Sequence, residues 1–319
     1  MKRLVTKRMD NIVSHMNCLQ LCLYNICKKY HIADYLMFCN GWCFSYDASK
    51  DISKSLSIPL EDHKNTYLNE YQGLITNIIP FDSSNVEHML HLISDTDCKD
   101  VIIHINSYEC PWHRGFQKLN IPHYVHIIKV NHENKVLVCD DPYFNVFQME
   151  LPFENVLRGC KTIRVFQHEP INKDISSDKV LYDIHEGSNI KQITEDISTF
   201  AHKLLDIKTV HDLFDYMDDV YLCSNVRVLK FIADSRYGLS YLLNNLWILD
   251  DKTVDLSEIA NQFEISGSLF EKVNHFYIKL YYRNSEFQVK LKSIHDKLAE
   301  IVEIENEIFN NLSQMGVQR

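Results

Sequence analysis

The sequence predicts an α+β N-terminal half followed by an all-helical C-terminal domain. Up to about residue 168, one helical segment is followed by stretches of alternating apolar residues that are typical of strands. After residue 176 the apolar residues recur at helical spacing. The polar stretch 168–180, HEPINKDISSDKV, separates the two patterns and is typical of a linker. We therefore predict two domains, 1–170 and 176–319, which fits a chain of 319 residues.

The first element is a buried helix over residues 17–30, NCLQLCLYNICKKY, which is apolar on two sides. Asn17 is the predicted N-cap, and Gln20 stands three residues later, as in a capping box. Cys18 is then the first helical residue. Residues 1–11 are expected to form an irregular lead-in. An amphipathic helix is predicted over 84–95.

A hairpin is the main strand signal. Residues 123–130, HYVHIIKV, and 135–140, KVLVCD, are two strand patterns joined by the short polar turn NHEN. Residues 100–106 predict a strand before this hairpin, and NVFQMEL and KTIRVF continue the pattern to about residue 167.

The second half reads as helices over 190–206, 208–221 and 224–248. Its last stretch repeats apolar residues at spacings of four and three between Phe287 and Leu312, and Glu305 interrupts this seam. The pattern predicts one long helix packed against a neighbouring helix or against a partner subunit. In the second case the protein would be a homo-oligomer.

Composition excludes several classes of function. A net charge of -10 argues against nucleic-acid binding, and no apolar run is long enough to span a membrane. The basic N-terminus lacks the apolar core of a signal peptide, so we expect a cytoplasmic protein. With 8 glycines there is neither a phosphate-binding loop nor a dinucleotide fingerprint. The ten cysteines contain no CxxC pair, so we expect mostly buried thiols and no metal site.

Three features together suggest a catalytic site. A thiol at Cys18 would meet the positive end of a helix, which favours the thiolate. The hairpin would bring the start of one strand, His123, beside the end of the next, Asp140 and Asp141. Nucleophile, base and orienting carboxylate form the logic of a catalytic triad. Strand alternation lets only one of His123 and His126 face the thiol, and leaves the choice between the two aspartates open.

The order of these motifs resembles the papain-like peptidase domains that process bacteriocin leaders. In those domains the catalytic His opens an apolar strand and an Asp-Pro pair follows, which favours Asp141 because Pro142 comes next. The glutamine that those peptidases carry six residues before the Cys is Ile12 here, which disfavours peptidase activity specifically.

The chain more closely resembles the family of the N-terminal domain of the butirosin biosynthesis protein BtrH. The matching motifs are, in order, Cys18 with Leu23 and Asn25; Gly41 with Phe44, Ser45 and Tyr46; Tyr108 with Pro111 and Trp112; and His123 with Asp141. They cover residues 15–145, so the resemblance concerns the first half.

This resemblance implies a papain-like fold and an acyltransferase of secondary-metabolite biosynthesis, such as antibiotic or nonribosomal peptide pathways. Cys18 would take an acyl or aminoacyl group from a phosphopantetheine thioester on an acyl or peptidyl carrier protein and pass it to an amine-bearing small molecule, with no bound cofactor. Asn17, Asn25, Tyr46 and Trp112 are the candidate oxyanion-hole or substrate-lining residues. The alternatives are a cysteine hydrolase with the same triad (thioesterase, amidase or peptidase) and a non-catalytic binding protein on this fold.

Overall fold

A computed structural model describes residues 12–58, 66–82, 90–91, 100–171, 174–249, 255–283 and 286–315. The predicted lead-in over 1–11 lies outside these residues, and so does nearly all of the predicted helix over 84–95. The strands within the described residues are β1 (Ser45–Tyr46), β2 (Leu56–Ser57), β3 (Leu74–Pro80), β4 (Asp100–Asn106), β5 (Pro122–Asn131), β6 (Val136–Asp141), β7 (Val146–Pro152) and β8 (Cys160–His168). The α-helices are α1 (Cys18–Tyr30), α2 (Thr66–Gln72), α3 (Phe153–Gly159), α4 (Ser177–Gly187), α5 (Ile190–Leu205), α6 (Ser224–Asn245), α7 (Ser257–Tyr282) and α8 (Phe287–Gln314).

The described chain forms two compact units, and their segments alternate along the sequence. The sheet unit contains residues 16–37 and the described part of 64–173. The helical unit contains residues 12–15, 38–58 and the described residues from Asp174 onward. Residues 38–58 therefore pack with the C-terminal helices, although the sequence patterns place them in the first half.

The sheet unit is built on a six-stranded antiparallel sheet with the order β3-β8-β4-β5-β6-β7. The predicted hairpin is confirmed as β5 and β6, in which His126 pairs with Asp140 and Ile127 with Cys139. Helix α1 packs against β5. Val125 and Ile127 of β5 lie in the apolar core that forms on one face of the sheet. The mixed α+β class is therefore confirmed.

The helical unit packs α7 between α6 and α8, and α8 also packs on α5. The predicted long terminal helix is confirmed as Phe287–Gln314, and it finds its neighbouring helices within the same chain. Gly267 lies where α7 approaches α6, since a Cβ there would stand 3.2 Å from the Ala233 carbonyl oxygen. The predicted helix over 208–221 is wrong: the chain forms short 3-10 turns at Val210–Leu213 and Val220–Leu222.

Glu305, which interrupts the seam of the terminal helix, is the centre of a buried polar network. Its carboxylate accepts hydrogen bonds from Arg236 Nε at 2.7 Å and Nη2 at 3.1 Å, and both side chains are 0% exposed. Trp42 Nε1 and Ser266 Oγ donate to the same carboxylate at 3.0 and 2.7 Å. A buried charge is tolerated only when it is paired and hydrogen-bonded in this way. The network ties the segment around Trp42 to helices α6, α7 and α8.

Candidate active site

Cys18 is the first residue of α1, as the capping pattern predicts. The Asn17 side-chain oxygen accepts from the Gln20 N–H at 2.9 Å, and the Gln20 side chain accepts from the Asn17 N–H at 3.0 Å. This reciprocal cap fixes the first turn, where backbone N–H groups have no acceptor within the helix. The Cys18 side chain is partly exposed. It is therefore both accessible and set against the positive end of the helix.

His123 stands at the start of β5 and is 2% exposed. It shares the core-facing side of the strand with Val125 and Ile127, and the nearby Cys18 thiol raises the pKa of its imidazole. His126 belongs to the opposite face, where its Nε2 lies 3.3 Å from Asp100 Oδ1. The pleat thus assigns the two histidines to different partners, which the sequence left open.

Asp141 is the carboxylate that meets the imidazole. Its Oδ2 lies 2.6 Å from His123 Nε2 and accepts from Trp112 Nε1 at 2.7 Å. Its Oδ1 accepts from the backbone N–H groups of Tyr143 and Phe144 at 3.2 and 3.4 Å. The side chain is 0% exposed. Four donors therefore hold the carboxylate in one orientation.

The alternative aspartate is directed elsewhere. Asp140 Oδ1 accepts from the Gln148 N–H at 2.8 Å, across the turn between β6 and β7. Since successive strand residues point to opposite faces, only one of the two could join His123. The structure joins Asp141 to it, which leaves Asp140 to stabilise the edge of the sheet.

Trp112, one of the predicted lining residues, contacts the carboxylate of this cluster. Its indole N–H donates to Asp141, so it positions the carboxylate and, through it, the imidazole. No short-range sequence pattern shows this contact, because Trp112 lies in the loop between β4 and β5 and Asp141 ends β6. The two become neighbours only when the sheet forms.

The structure gives each of the other predicted lining residues its own surroundings. The Asn17 side-chain oxygen is engaged in the helix cap. Asn25 is exposed on α1, seven residues after Cys18. At about 1.5 Å per residue this separation is roughly 10 Å along the axis. Tyr46 belongs to the helical unit, where its ring contacts Phe200 and its N–H donates to Asp196.

Burial and charge act in opposite directions on the His123 imidazole. Burial alone would lower its pKa, but the Cys18 thiolate and the hydrogen-bonded Asp141 carboxylate outweigh it and raise that pKa to about 10. The imidazolium is therefore the stable form of this group at neutral pH. An imidazole that lies near a thiol and is hydrogen-bonded to a carboxylate is an arrangement that cysteine nucleophiles use.

Cys18 differs from the other cysteines of the described chain. Of those nine thiols only Cys18 and Cys43 are not fully buried. Burial raises the pKa of Cys43, and it raises the pKa of Cys22 well above its usual range, with the Cys18 thiolate adding to the effect there. Cys18 is thus the thiol that combines access with an imidazole partner.

Aromatic rings surround the imidazole on its remaining sides. The His113 ring lies edge-on with its centroid 4.9 Å from that of His123, and the Phe144 ring lies 5.4 Å away. Tyr143 follows at 6.2 Å and is exposed, so it stands at the rim of the site. These rings exclude water from the base, which strengthens the electrostatic interactions among the charged groups.

Sequence reasoning overlooked one further residue of the site. Cys110, which follows the short 3-10 turn after β4, is fully buried. A metal-ligating atom of each of Cys110, His123 and Asp141 lies within 4.8 Å of the other two. The signal was weak because the three residues come from different elements and no short spacing links them.

The cluster can act as a nucleophile, a base and an orienting carboxylate in acyl transfer. No protein-family model matches the sequence, and no curated protein matches it significantly. Within the described residues, no helix offers a stretch long and apolar enough to cross a membrane.

Proposed function

We propose that this protein is a cysteine-dependent acyltransferase of the papain-like, BtrH-like class. It would move an acyl or aminoacyl group from a carrier-protein thioester, through an acyl-enzyme on Cys18, to the amine of a small molecule. The observation that carries the proposal is the buried His123–Asp141 pair, whose imidazole pKa is raised by the Cys18 thiol at the start of α1. The carrier-protein donor and the amine acceptor rest on the resemblance of the sequence motifs. The cytoplasm is the proposed location.

In the first half-reaction the Cys18 thiolate attacks the thioester carbonyl carbon. The bond to the pantetheine sulfur breaks, and that sulfur leaves as a thiol after taking the proton of the His123 imidazolium. The products are a Cys18 thioester and a neutral imidazole. Exchange of one thioester for another is nearly isoenergetic, so the acyl-enzyme can form without an added energy source. The Cys18 backbone N–H, in the first turn of α1, is the candidate donor to the oxyanion.

In the second half-reaction the acceptor amine attacks the Cys18 thioester. The neutral His123 takes one amine proton, the carbon–sulfur bond breaks, and the thiolate–imidazolium pair is restored beside the new amide. Asp141 accepts from Nε2 of the imidazole throughout, which keeps Nδ1 available on the other side of the ring. Water must be excluded so that the acyl-enzyme is not hydrolysed.

The test is the intact mass of the protein after incubation with a panel of acyl-pantetheine thioesters. We expect a mass gain equal to the acyl group in the wild type and none in Cys18→Ala. Cys43→Ser is the matched control because Cys43 is the other partly exposed thiol of the described chain, and it should label like the wild type. Cys98, which lies outside the described residues, is controlled in the same way with Cys98→Ser.

Addition of amines then separates the two enzyme classes. Loss of the adduct with formation of an amide supports transfer, whereas loss of the adduct in buffer alone supports a hydrolase with the same triad. If no donor labels the protein and iodoacetamide alkylates Cys18 no faster than free cysteine at neutral pH, the catalytic proposal fails. The non-catalytic binding protein then becomes the better hypothesis.

A further inference from the structure

The buried Cys110 thiol lies near His123 and Asp141 but has no role in the proposed mechanism. Cys110 offers a sulfur, His123 a ring nitrogen and Asp141 a carboxylate oxygen, all within 4.8 Å of one another. All three residues are buried, and they form the one such set among the described residues. Thiolate, imidazole and carboxylate are the three ligand types that zinc accepts in proteins.

The distances are close to those of a tetrahedral site. With Zn–S near ~2.3 Å and Zn–N and Zn–O near ~2.1 Å, neighbouring ligand atoms lie about 3.3–3.7 Å apart. The ligand atoms here are separated by 4.8 Å or less, and the His123–Asp141 contact of 2.6 Å must open slightly. Side-chain rotations that move the ligand atoms by roughly 1 Å therefore produce the coordination geometry.

A second observation concerns the Cys110 sulfur itself. The nearby backbone N–H groups of Trp112 and His113 act to lower its pKa, against the effects of burial and of Asp141. They come from the loop Cys110–Pro111–Trp112–His113, in which the His113 N–H also bonds to the Cys110 carbonyl at 3.0 Å. Without a cation, burial and the Asp141 charge keep the pKa of this thiol well above its usual range. A coordinated metal removes that penalty, because a thiol bound to zinc loses its proton.

We propose that Cys110, His123 through Nε2, and Asp141 form a binding site for Zn²⁺ or a metal ion of similar softness. The ion takes the place of the proton between His123 and Asp141, and a water molecule completes the fourth position, as in zinc sites with three protein ligands. Cys18 is not one of the three ligands. Where the protein acts as proposed above, the bound ion withdraws His123 from proton transfer and so inhibits the enzyme. This inhibition rests on the proposed function, whereas the binding site does not.

The test uses cobalt(II) as the probe with full-length protein kept reduced by a phosphine. We expect one equivalent of cobalt to give thiolate-to-cobalt charge-transfer absorption with the d–d bands of a tetrahedral ion. Cys18→Ala should retain the absorption, because Cys110 supplies the sulfur. Cys110→Ser should lose it and should bind zinc at least tenfold more weakly in competition with a chelating dye, since even the loss of an outer contact lowers metal affinity by about 10–100-fold.

Cys139→Ser is the matched control, because Cys139 is equally buried in the same core and donates to the Leu137 carbonyl. It should bind cobalt like the wild type. Loss of the charge-transfer band in Cys18→Ala would overturn the proposal, since the ion would then sit on the nucleophile; this result does not depend on how Cys110→Ser folds. Absence of tight cobalt or zinc binding in the wild type would also overturn it. None of these readouts depends on acyl transfer, so failure of the proposed function is seen separately.

Discussion

Replacement of Asp141 by asparagine tests the central geometry. In wild type, donors meet both carboxylate oxygens: His123 and Trp112 on Oδ2, and the backbone N–H groups of Tyr143 and Phe144 on Oδ1. An amide has one accepting oxygen and one donating nitrogen, so it cannot serve both sides. We expect its oxygen to face His123 and Trp112, whose bonds are the shorter ones. Its NH2 group then faces two backbone N–H groups in a buried site.

The magnitude follows from these contacts. Each buried donor left without an acceptor costs about 1–3 kcal/mol, so two such donors in Asp141→Asn should lower the free energy of unfolding by roughly 2–6 kcal/mol. The rise of the His123 pKa from 6.5 to about 10 corresponds to roughly 5 kcal/mol, and part of it comes from the Asp141 charge. Removal of that charge should lower the His123 pKa.

The assays are urea unfolding and the pH dependence of kcat/KM for acyl transfer, in which the imidazolium protonates the leaving thiol. Because the folded protein raises the His123 pKa, the imidazolium persists at neutral pH and is lost as pH rises toward about 10. The alkaline limb should therefore lie near pH 10 in the wild type and move to lower pH in Asp141→Asn, with kcat at least tenfold lower. Asp140→Asn is the control and should change neither. If Asp141→Asn matched the wild type in stability and alkaline limb, the carboxylate would not hold the four donors, and the reasoning would be refuted.

Three further substitutions test other contacts. Trp112→Phe removes a hydrogen bond to the charged Asp141 carboxylate, which is worth about 1.5–3 kcal/mol. Because Trp112 only positions Asp141, steady-state kinetics should show kcat about tenfold lower with KM nearly unchanged. Glu305→Gln breaks the buried ion pair with Arg236 and should lower the free energy of unfolding, measured in urea, by about 3–5 kcal/mol. The control Glu303→Gln, at an exposed residue of the same helix, should change it by less than about 0.5 kcal/mol. Equal effects of the two substitutions would contradict the role of the buried network. Asn17→Ala should destabilise α1 by about 1 kcal/mol. Because the first turn is then displaced, iodoacetamide should alkylate Cys18 more slowly. An unchanged rate would show that the cap does not position Cys18.

Local patterns predicted the parts of the site that depend on neighbouring residues. The capping box at Asn17 and Gln20 set the first helical residue, and the polar turn between two apolar strands set the hairpin of β5 and β6. Both signals act within a few residues, so they can be read from the chain alone. They place the nucleophile at a helix start and bring a strand start beside a strand end.

The remaining contacts depend on register and on long-range packing. Which histidine faced the thiol was decided by the pleat of β5, which a strand pattern by itself leaves ambiguous. Trp112 and Cys110 reach Asp141 across the sheet, and no spacing in the sequence signals this. Helix α7 (Ser257–Tyr282) lies in the predicted helical domain, but its bounds were not predicted. It buries residues on several sides, so it lacks a clear amphipathic period. Its fit depends on Gly267 and on contacts with two other helices.

The alternation of the two units along the chain has a consequence for how the protein folds during synthesis. Residues 38–58 pack with helices that the ribosome makes more than a hundred residues later, so the contacts between these segments have a large sequence separation. Chains rich in such contacts fold slowly, and they expose apolar surface until the distant segments have packed together. Truncation near residue 170 would leave residues 38–58 without the helices they pack on. All segments of the sheet unit lie within residues 16–173, whereas the segments of the helical unit are spread over the whole described chain.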